Sequence, residues 1–244
     1  MQCMRTSSPT VPAGHRPRRA TGHLWAAGLC TLPAAVLLAL VAVEWGPLLA
    51  LDRTVATGLH ESARESPGFT QANRVLTDWV WDPWTMRLAL LLAVLALLLS
   101  RRGGGRTTAL WLVVTLLIGS VLQQGLKFLV DRPRPRWREP VDSAHYAAFP
   151  SGHAMTAAFV CVLLLWLAHR AGVRGALMRA AAAAAAVSVA GVGFTRVYLG
   201  VHWPSDVVGG WLLGAAAASA AVAAHHRYGA QRTETLEPPG TAGE

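Results

Sequence analysis

Lys127 and Arg134 stand where a long apolar run of the sequence ends. Ionisable side chains at membrane depth are costly, so they usually have a function or a partner. The two cations therefore predict an anion site, with Asp131, Glu139 and Asp142 as candidate partners. The simpler alternative is a pair of cations that extend to the lipid headgroups.

A second segment, Pro150-Ser151-Gly152-His153, has the composition of a helix start. Serine is a favourable N-cap, and glycine allows a ligand to approach the backbone closely. Free N–H groups and the positive end of the helix dipole make such a start suitable for an anion. A plain helix cap is the alternative interpretation.

A third segment holds Arg196, His202 and Asp206. Pro204 favours a helix that starts there, which places Asp206 in its first turn. A carboxylate at this spacing reaches one imidazole nitrogen, fixes the tautomer and leaves the other nitrogen free as a nucleophile. Asp206 could instead only satisfy the helix N-terminus.

Together the three segments supply cations, a helix N-terminus, two histidines and a carboxylate. A fully charged phosphate group needs this set: donors for its oxygens, a nucleophile, and an acid for the leaving group. The cysteines, Cys3, Cys30 and Cys161, are far apart and show no metal-ligand spacing. We therefore expect no metal and no cofactor, and the basic side chains supply the electrostatic stabilisation.

The elements that position these segments are predicted to be membrane-spanning helices. Hydrophobic residues make up 53% of the 244 residues and charged residues 14%, whereas soluble domains carry about 25% charged residues. This composition excludes a soluble globule and a disordered chain. The net charge is +9. The basic residues behind it lie between apolar runs, a pattern that is typical of membrane flanks and not of nucleic-acid binding.

Six apolar runs approach the length that a helix needs to cross a bilayer. They are residues 24–43, 86–100, 107–126, 154–168, 177–194 and 207–224. The second and fourth runs are short, so we expect these helices to extend into their flanks. The fifth and sixth are rich in Ala and Gly and are predicted to lie in the interior of the bundle.

The chain is predicted to be all-α, with one domain at residues 24–226. A disordered basic tail at residues 1–23 precedes it, and a disordered tail at residues 227–244 follows. Residues 44–85 are predicted to form amphipathic helices at the membrane interface, which serve either as a packing surface for the bundle or as a lipid-entry surface. A modest cytoplasmic excess of arginine predicts that both termini lie in the cytoplasm and the three segments on the extracytoplasmic side. The basic cluster from Lys127 to Arg138 then lies on the outer side, against this rule, and an anionic ligand would account for it.

These segments resemble the three-part signature of the type 2 phosphatidic acid phosphatase (PAP2) superfamily. The matching residues are Lys127 with Arg134 and Pro135, then residues 150–153, then Arg196, His202 and Asp206. Thr195 stands where the family usually has serine. Because threonine keeps a hydroxyl, we expect little loss from this difference.

The resemblance implies an integral membrane lipid phosphatase, a six-helix bundle with a haloperoxidase-like core. It implies that His202 attacks phosphorus and forms a phosphohistidine, that Asp206 orients His202, and that His153 protonates the leaving group. It implies that the phosphate is bound by Lys127, Arg134, Ser151, Gly152 and Arg196. The expected substrates are a prenyl diphosphate such as undecaprenyl diphosphate, phosphatidylglycerol phosphate or phosphatidic acid in a bacterial cell membrane.

Three other functions stay open. A vanadate-dependent haloperoxidase shares the signature, but those enzymes are typically soluble and larger. A membrane protein that binds a lipid phosphate without turnover, or a phosphotransferase with an acceptor other than water, would carry the same motifs. The expected partners are the lipid substrate and membrane lipids, with no nucleic acid, and the sequence does not indicate an oligomeric state.

Overall fold

The structure, a computed structural model, describes residues 16–100 and 104–236, with side chains described for residues 21–100 and 104–228. The described residues form eight α-helices and one π-helical turn and contain no strand, which confirms the predicted all-α class. The helices are Arg16–Ala42 (α1), Gly46–Glu65 (α2), Pro67–Val75 (α3), Pro83–Leu99 (α4), Gly105–Val130 (α5), Gly152–Arg170 (α6), Gly175–Tyr198 (α7) and Pro204–Leu236 (α8), with the π-helical turn at Leu76–Val80.

In the part of the chain that the structure describes, six stretches of helix are long and apolar enough to cross a membrane, as predicted. They are Thr21–Ala42, Pro67–Leu99, Gly105–Val130, Gly152–Arg170, Gly175–Tyr198 and Pro204–Tyr228. The two runs that looked short extend into their flanks. In α4 the extension begins at Pro83, and the carboxylate of Asp82 caps the helix by accepting a hydrogen bond from Trp84 N at 2.8 Å.

The first and last helices reach into both segments that were predicted to be tails. Helix α1 includes residues 16–23, and α8 continues through residue 236. Arginine, the most frequent residue type in residues 16–23 and 227–236, is a good helix former. The other residues predicted to be disordered, 1–15 and 237–244, lie outside the described residues, as do residues 101–103.

Helix α6 is the centre of the bundle. Its span is 67% buried and that of α8 is 50% buried, whereas that of α7 is 11% buried. The main core cluster packs α4, α5 and α8 around Phe159, Leu163 and Trp166 of α6. The prediction that α7 lies in the interior is therefore wrong, because alanine-rich faces permit close helix packing without requiring it.

Close contact between α6 and α8 depends on Gly210 and Gly214, one helical turn apart. A Cβ added at Gly210 would lie 2.7 Å from Ser151 O, and one at Gly214 would overlap Met155 O. Small residues at this spacing let two helix backbones approach each other. The approach places the starts of α6 and α8 side by side, where Ser151 N donates to Asp206 O at 2.9 Å.

The segment predicted to contain amphipathic helices forms α2, α3 and the π-helical turn. Helix α2 buries Asp52, Ala56, His60 and Ala63, which share one face. This face packs against α7 and α8. Two polar side chains of α2 are thereby brought to the bundle, while the location of this segment at a membrane interface stays a prediction.

Gly214→Ala is expected to lower the thermal unfolding temperature in detergent. The added methyl group meets a backbone carbonyl of α6, so the helices must separate, at a cost of about 1–3 kcal/mol. Gly125→Ala is the matched control, because Gly125 also lies in a spanning helix and a Cβ there has open space. Equal unfolding temperatures for the two variants would contradict the close packing of α6 against α8.

Candidate active site

The three segments predicted to carry chemistry meet at one end of the bundle. They are the end of α5 with the loop after it, the start of α6, and the connection between α7 and α8. Backbone hydrogen bonds join them, with Ala148 N donating to Arg132 O at 2.8 Å and Ser151 N donating to Asp206 O at 2.9 Å. The segments are thus fixed to one another through their backbones, which positions the side chains they carry.

His202 and Asp206 form a buried pair at the start of α8. Asp206 Oδ2 lies 3.4 Å from His202 Nδ1 and accepts a hydrogen bond from Trp203 N at 2.9 Å. Both side chains are almost completely buried. The sequence left open whether Asp206 contacts the imidazole or satisfies the helix N-terminus. In the structure its carboxylate does both.

The second imidazole nitrogen of His202 faces a cation. Arg134 Nη1 lies 3.1 Å from His202 Nε2, and because a guanidinium only donates, Nε2 is the unprotonated nitrogen. Nδ1 then carries the proton and donates it to Asp206. Burial holds the pKa of His202 well below its usual value, and the charges of Arg134 and Arg196 lower it further. A neutral imidazole with an electron pair on Nε2 is a competent nucleophile.

Arg134 is held by backbone oxygens. Its Nε donates to Tyr146 O at 2.8 Å, its Nη2 to His145 O at 3.0 Å and its Nη1 to Val201 O at 2.7 Å. Burial lowers the pKa of the guanidinium, which stays charged because arginine is protonated in proteins. The cation is thus fixed in place without being neutralised.

The acidic partners predicted for the cations, Asp131, Glu139 and Asp142, do not bind Lys127 or Arg134. Glu139 forms an exposed ion pair with Arg64. Asp142 accepts a hydrogen bond from the backbone N–H that follows it, and Asp131 ends α5 in a left-handed conformation. The prediction is wrong because the loop after α5 returns carbonyl oxygens to the cations and leaves its carboxylates elsewhere.

Lys127 is buried one turn before the end of α5. Its Nζ donates to Ala147 O at 2.5 Å. A Cβ added at Gly152 would lie 3.9 Å from Lys127 Cε, so the lysine side chain runs beside the start of α6. A cation that extends to the lipid headgroups does not fit this position.

Ser151 places a hydroxyl without a partner at the start of α6. Its side chain makes no capping hydrogen bond, and Oγ is buried with no hydrogen-bond partner. Leaving a buried hydroxyl unsatisfied costs about 1–3 kcal/mol, so a plain helix cap does not account for this serine. Gly152 is so closely packed that a Cβ would lie 2.7 Å from Gln123 Nε2.

Arg196 and His153 complete the cluster of predicted residues. Arg196 is buried in the last turn of α7, where Nη1 donates to Thr77 Oγ1 at 3.3 Å and Nε has no partner. His153 lies half-buried in the first turn of α6. The groups that act electrostatically on its imidazole are Arg196, His202, Arg134 and Lys127. The structure therefore gathers all eight predicted site residues around one place.

Thr195, which replaces the usual serine, directs its hydroxyl into its own helix. Oγ1 donates to Val192 O at 2.8 Å, and the side chain is buried. The hydroxyl is therefore engaged by the helix backbone and is not part of the cationic cluster.

Three residues that the sequence pattern did not reveal connect the cluster to α2: Asp52, Arg132 and Ser205. Arg132 donates to Asp206 Oδ1 at 2.6 Å and to Asp52 Oδ2 at 2.7 Å. The sequence held a signal for two of these three residues. Asp52 is an acidic residue within the segment predicted to form amphipathic helices, and Arg132 belongs to the same Arg-Pro-Arg-Pro run as Arg134.

Within residues 21–100 and 104–228, no group of three or more His, Cys, Asp and Glu side chains is arranged to hold a metal ion. Cys30 and Cys161 in this part of the chain are free thiols. The positive charge of the cluster is that of Lys127, Arg134 and Arg196.

Comparison with known proteins agrees with the geometry. The sequence profile of the PAP2 superfamily matches residues 108–230, half of the chain. An undecaprenyl-diphosphatase from Sulfolobus acidocaldarius is 31% identical over 148 residues, which cover 56% of this chain and 59% of that protein. A phosphatidylglycerophosphatase B from Bacillus subtilis is 36% identical over 106 residues, or 42% of this chain and 52% of that protein. The chain thus spans little more than half the length of the curated relatives it matches.

A solved structure shares the fold. It is the crystal structure of a transmembrane PAP2-type phosphatidylglycerolphosphate phosphatase from Bacillus subtilis, with a TM-score of 0.60 and 21% sequence identity, covering 87% of this chain and 100% of that one. The six long apolar helices among the described residues indicate a multi-span membrane protein. Since the profile covers all three motifs and they converge at one end of the bundle, the chain belongs to the PAP2 superfamily.

Proposed function

We propose that the protein is an integral membrane lipid phosphatase that works through a phosphohistidine. The observation that carries the proposal is the geometry of His202, whose Nδ1 faces Asp206 while its unprotonated Nε2 lies beside Arg134. Membership of the superfamily supports the reaction class. The names of the two relatives support lipid diphosphates and phosphomonoesters as the substrate class.

In the first step, the electron pair of His202 Nε2 attacks phosphorus, and the bond from phosphorus to the leaving oxygen breaks. His153 gives its proton to that oxygen. Asp206 accepts the Nδ1 hydrogen bond throughout, so that it orients the imidazole and stabilises the positive charge that develops on it. The product of this step is a phosphohistidine and a dephosphorylated or monophosphorylated lipid.

The cations Lys127, Arg134 and Arg196 bind the phosphate oxygens, with the hydroxyl of Ser151 and the N–H of Gly152 as neutral donors. Donors that are already fixed in a buried place stabilise the transition state more than mobile water does. Arg134 and Lys127 are fixed by carbonyl oxygens, so no carboxylate competes with the substrate for their charge.

In the second step, water attacks phosphorus of the phosphohistidine and the P–N bond breaks. His153, now neutral, takes the proton from water, and His202 returns to its neutral state as inorganic phosphate leaves. Each histidine therefore ends the cycle in the protonation state in which it began. We propose that these side chains act without a metal ion or other cofactor.

The arginine distribution supports an active site on the extracytoplasmic side, with both termini in the cytoplasm. A substrate that is itself a membrane lipid fits a site at one end of a bundle of spanning helices. The candidate substrates are a prenyl diphosphate such as undecaprenyl diphosphate, phosphatidylglycerol phosphate and phosphatidic acid.

His202→Ala is expected to lower kcat at least about 10³-fold, because the atom that forms the covalent intermediate is removed. The measurement is phosphate release in EDTA from mixed micelles that present each of the three candidate lipids. His169→Ala is the matched control and should keep wild-type activity. His169 is an exposed histidine of α6, about 25 Å along that helix from the site.

Four results would contradict parts of this proposal. Activity that needs a divalent ion, or that survives in His202→Ala, would exclude the phosphohistidine mechanism. Binding of a lipid phosphate with no turnover on any substrate would indicate a lipid-phosphate-binding protein. Transfer that depends on an added alcohol acceptor would indicate a phosphotransferase.

The pH dependence of kcat/KM is expected to be bell-shaped, because His202 must be neutral to attack and His153 must carry a proton to donate. Burial and neighbouring cations lower the pKa of His202, so protonating this imidazole requires a lower pH. The acid limb should therefore lie below the ordinary imidazole value of about 6.5. The measurement is kcat/KM across the pH range, with the ionisation of the substrate titrated separately. An acid limb above about 6.5 that does not come from the substrate would count against His202 as the group that must be neutral.

Thr195→Val and Thr195→Ser are expected to keep kcat within about threefold of the wild type, because the hydroxyl bonds only within its own helix. Thr195→Val loses one buried hydrogen bond, which costs about 1 kcal/mol of stability. Phosphate release and thermal unfolding in detergent measure the two effects. A large loss of kcat in Thr195→Val at an unchanged unfolding temperature would show that the hydroxyl takes part in the reaction.

A further inference from the structure

A buried ionic network joins α2 to the start of α8. Arg132 lies at its centre, with Nη1 donating to Asp206 Oδ1 at 2.6 Å and Nη2 donating to Asp52 Oδ2 at 2.7 Å. Asp52 is 1% exposed, Arg132 8% and Asp206 0%. One guanidinium therefore bridges two carboxylates that come from helices far apart in the sequence.

Ser205 closes the network. Its backbone N–H donates to Asp52 Oδ1 at 2.9 Å, and its hydroxyl donates to Asp52 Oδ2 at 2.5 Å. The same hydroxyl accepts a hydrogen bond from Arg132 Nη1 at 2.7 Å. Asp52 thus satisfies a free N–H group in the first turn of α8 from a different helix. The guanidinium of Arg132 also lies 5.8 Å from the ring centroid of Trp203.

Asp52 reaches the reacting groups only through other residues. Its hydrogen bonds go to Arg132 and Ser205, and Arg132 lies between it and Asp206. The superfamily profile begins at residue 108, so Asp52 lies outside the part of the chain that the profile matches. Burying charges is costly unless each is paired and hydrogen-bonded, and here every charge of the network has partners.

We propose that Asp52 and Arg132 are positioning residues for the His202–Asp206 pair. Asp52 fixes the guanidinium of Arg132. Arg132 then holds Asp206 with Oδ1 toward itself, which leaves Oδ2 facing His202 Nδ1. The inference rests on the proposed function, in which His202 is the nucleophile.

The network also sets the charge that His202 experiences. Arg132 offsets the negative charge of Asp206, and Asp52 in turn offsets part of the charge of Arg132. Removing the charge of Arg132 favours a protonated His202, whereas removing the charge of Asp52 disfavours it. The remaining groups that act on His202 are Lys127 from α5, Arg134 from the loop, His153 from α6 and Arg196 from α7.

Asp52→Asn and Arg132→Gln each remove one charge and keep a polar side chain. We expect kcat to fall about 10- to 100-fold in both, because a small misplacement of the reacting pair is costly. KM should stay within about threefold of the wild type, since neither side chain binds the phosphate. The acid limb of kcat/KM should move to lower pH in Asp52→Asn and to higher pH in Arg132→Gln, by at least about 0.5 unit.

Arg64→Gln and Glu139→Gln are the matched controls. They make the same two charge changes in an exposed ion pair beside the same loop, and exposed pairs contribute little. Both should keep the wild-type kcat and acid limb. Arg132→Lys keeps the positive charge but lacks the planar guanidinium that bonds two carboxylates at once. Compared with Arg132→Gln, it should return the acid limb toward the wild type while kcat stays low.

The titration of His202 can also be followed without turnover, by NMR of protein labelled with ¹⁵N in histidine and assigned with His202→Ala. Opposite shifts in Asp52→Asn and Arg132→Gln support the inference even where no lipid is hydrolysed, and then the proposed function alone fails. The positioning role is overturned if the loss of activity in each variant is fully explained by a loss of folded protein. The positioning role is also overturned if the acid limb of kcat/KM and the titration of His202 do not shift in the two variants, or shift in the same direction in both. If Arg132→Gln does not fold, the direction of the shift in Asp52→Asn decides.

Discussion

Lys127 and Arg196 are buried and Arg134 is half-buried in the same cluster, where the mutual repulsion of the three cations is poorly screened. The rest of the structure meets this constraint. Carbonyl oxygens bind Arg134 and Lys127, and these acceptors carry a partial negative charge but no net charge. A carboxylate in their place would neutralise the cations and compete with a phosphate. The proposed site therefore keeps the net positive charge that an anion requires.

The fold provides this arrangement by placing two helix starts side by side. The glycines of α8 let α6 approach so closely that Ser151 N bonds to Asp206 O. One helix start then offers the unpartnered hydroxyl of Ser151, and the other holds the pair of Asp206 and His202. The aspartate contacts both the helix start and the imidazole, so the stability of α8 and the orientation of the proposed nucleophile, His202, depend on one side chain.

The residues of the proposed site could be found from the sequence because each motif is short and its spacing defines which side chains share a turn. The partners of the cations could not be found in this way, because backbone carbonyls leave no trace in residue types. Asp52 and Arg132 meet across 80 residues of chain, and only the packing of α2 on α8 shows that they do. The alanine-rich composition of α7 was equally uninformative, since alanine suits lipid and protein surroundings alike.

The anchoring of two cations by the carbonyl oxygens of His145, Tyr146 and Ala147 has an evolutionary consequence. A carbonyl oxygen is the same in every amino acid, so these three positions can change identity while the cations keep their places. Tyr146 is 89% exposed, but its φ of +68° lies in the left-handed region, which favours glycine, asparagine or aspartate over β-branched residues at this position. The loop is therefore constrained in path and length, and at Tyr146 in backbone conformation, while its other exposed side chains can diverge without displacing the cations of the proposed site.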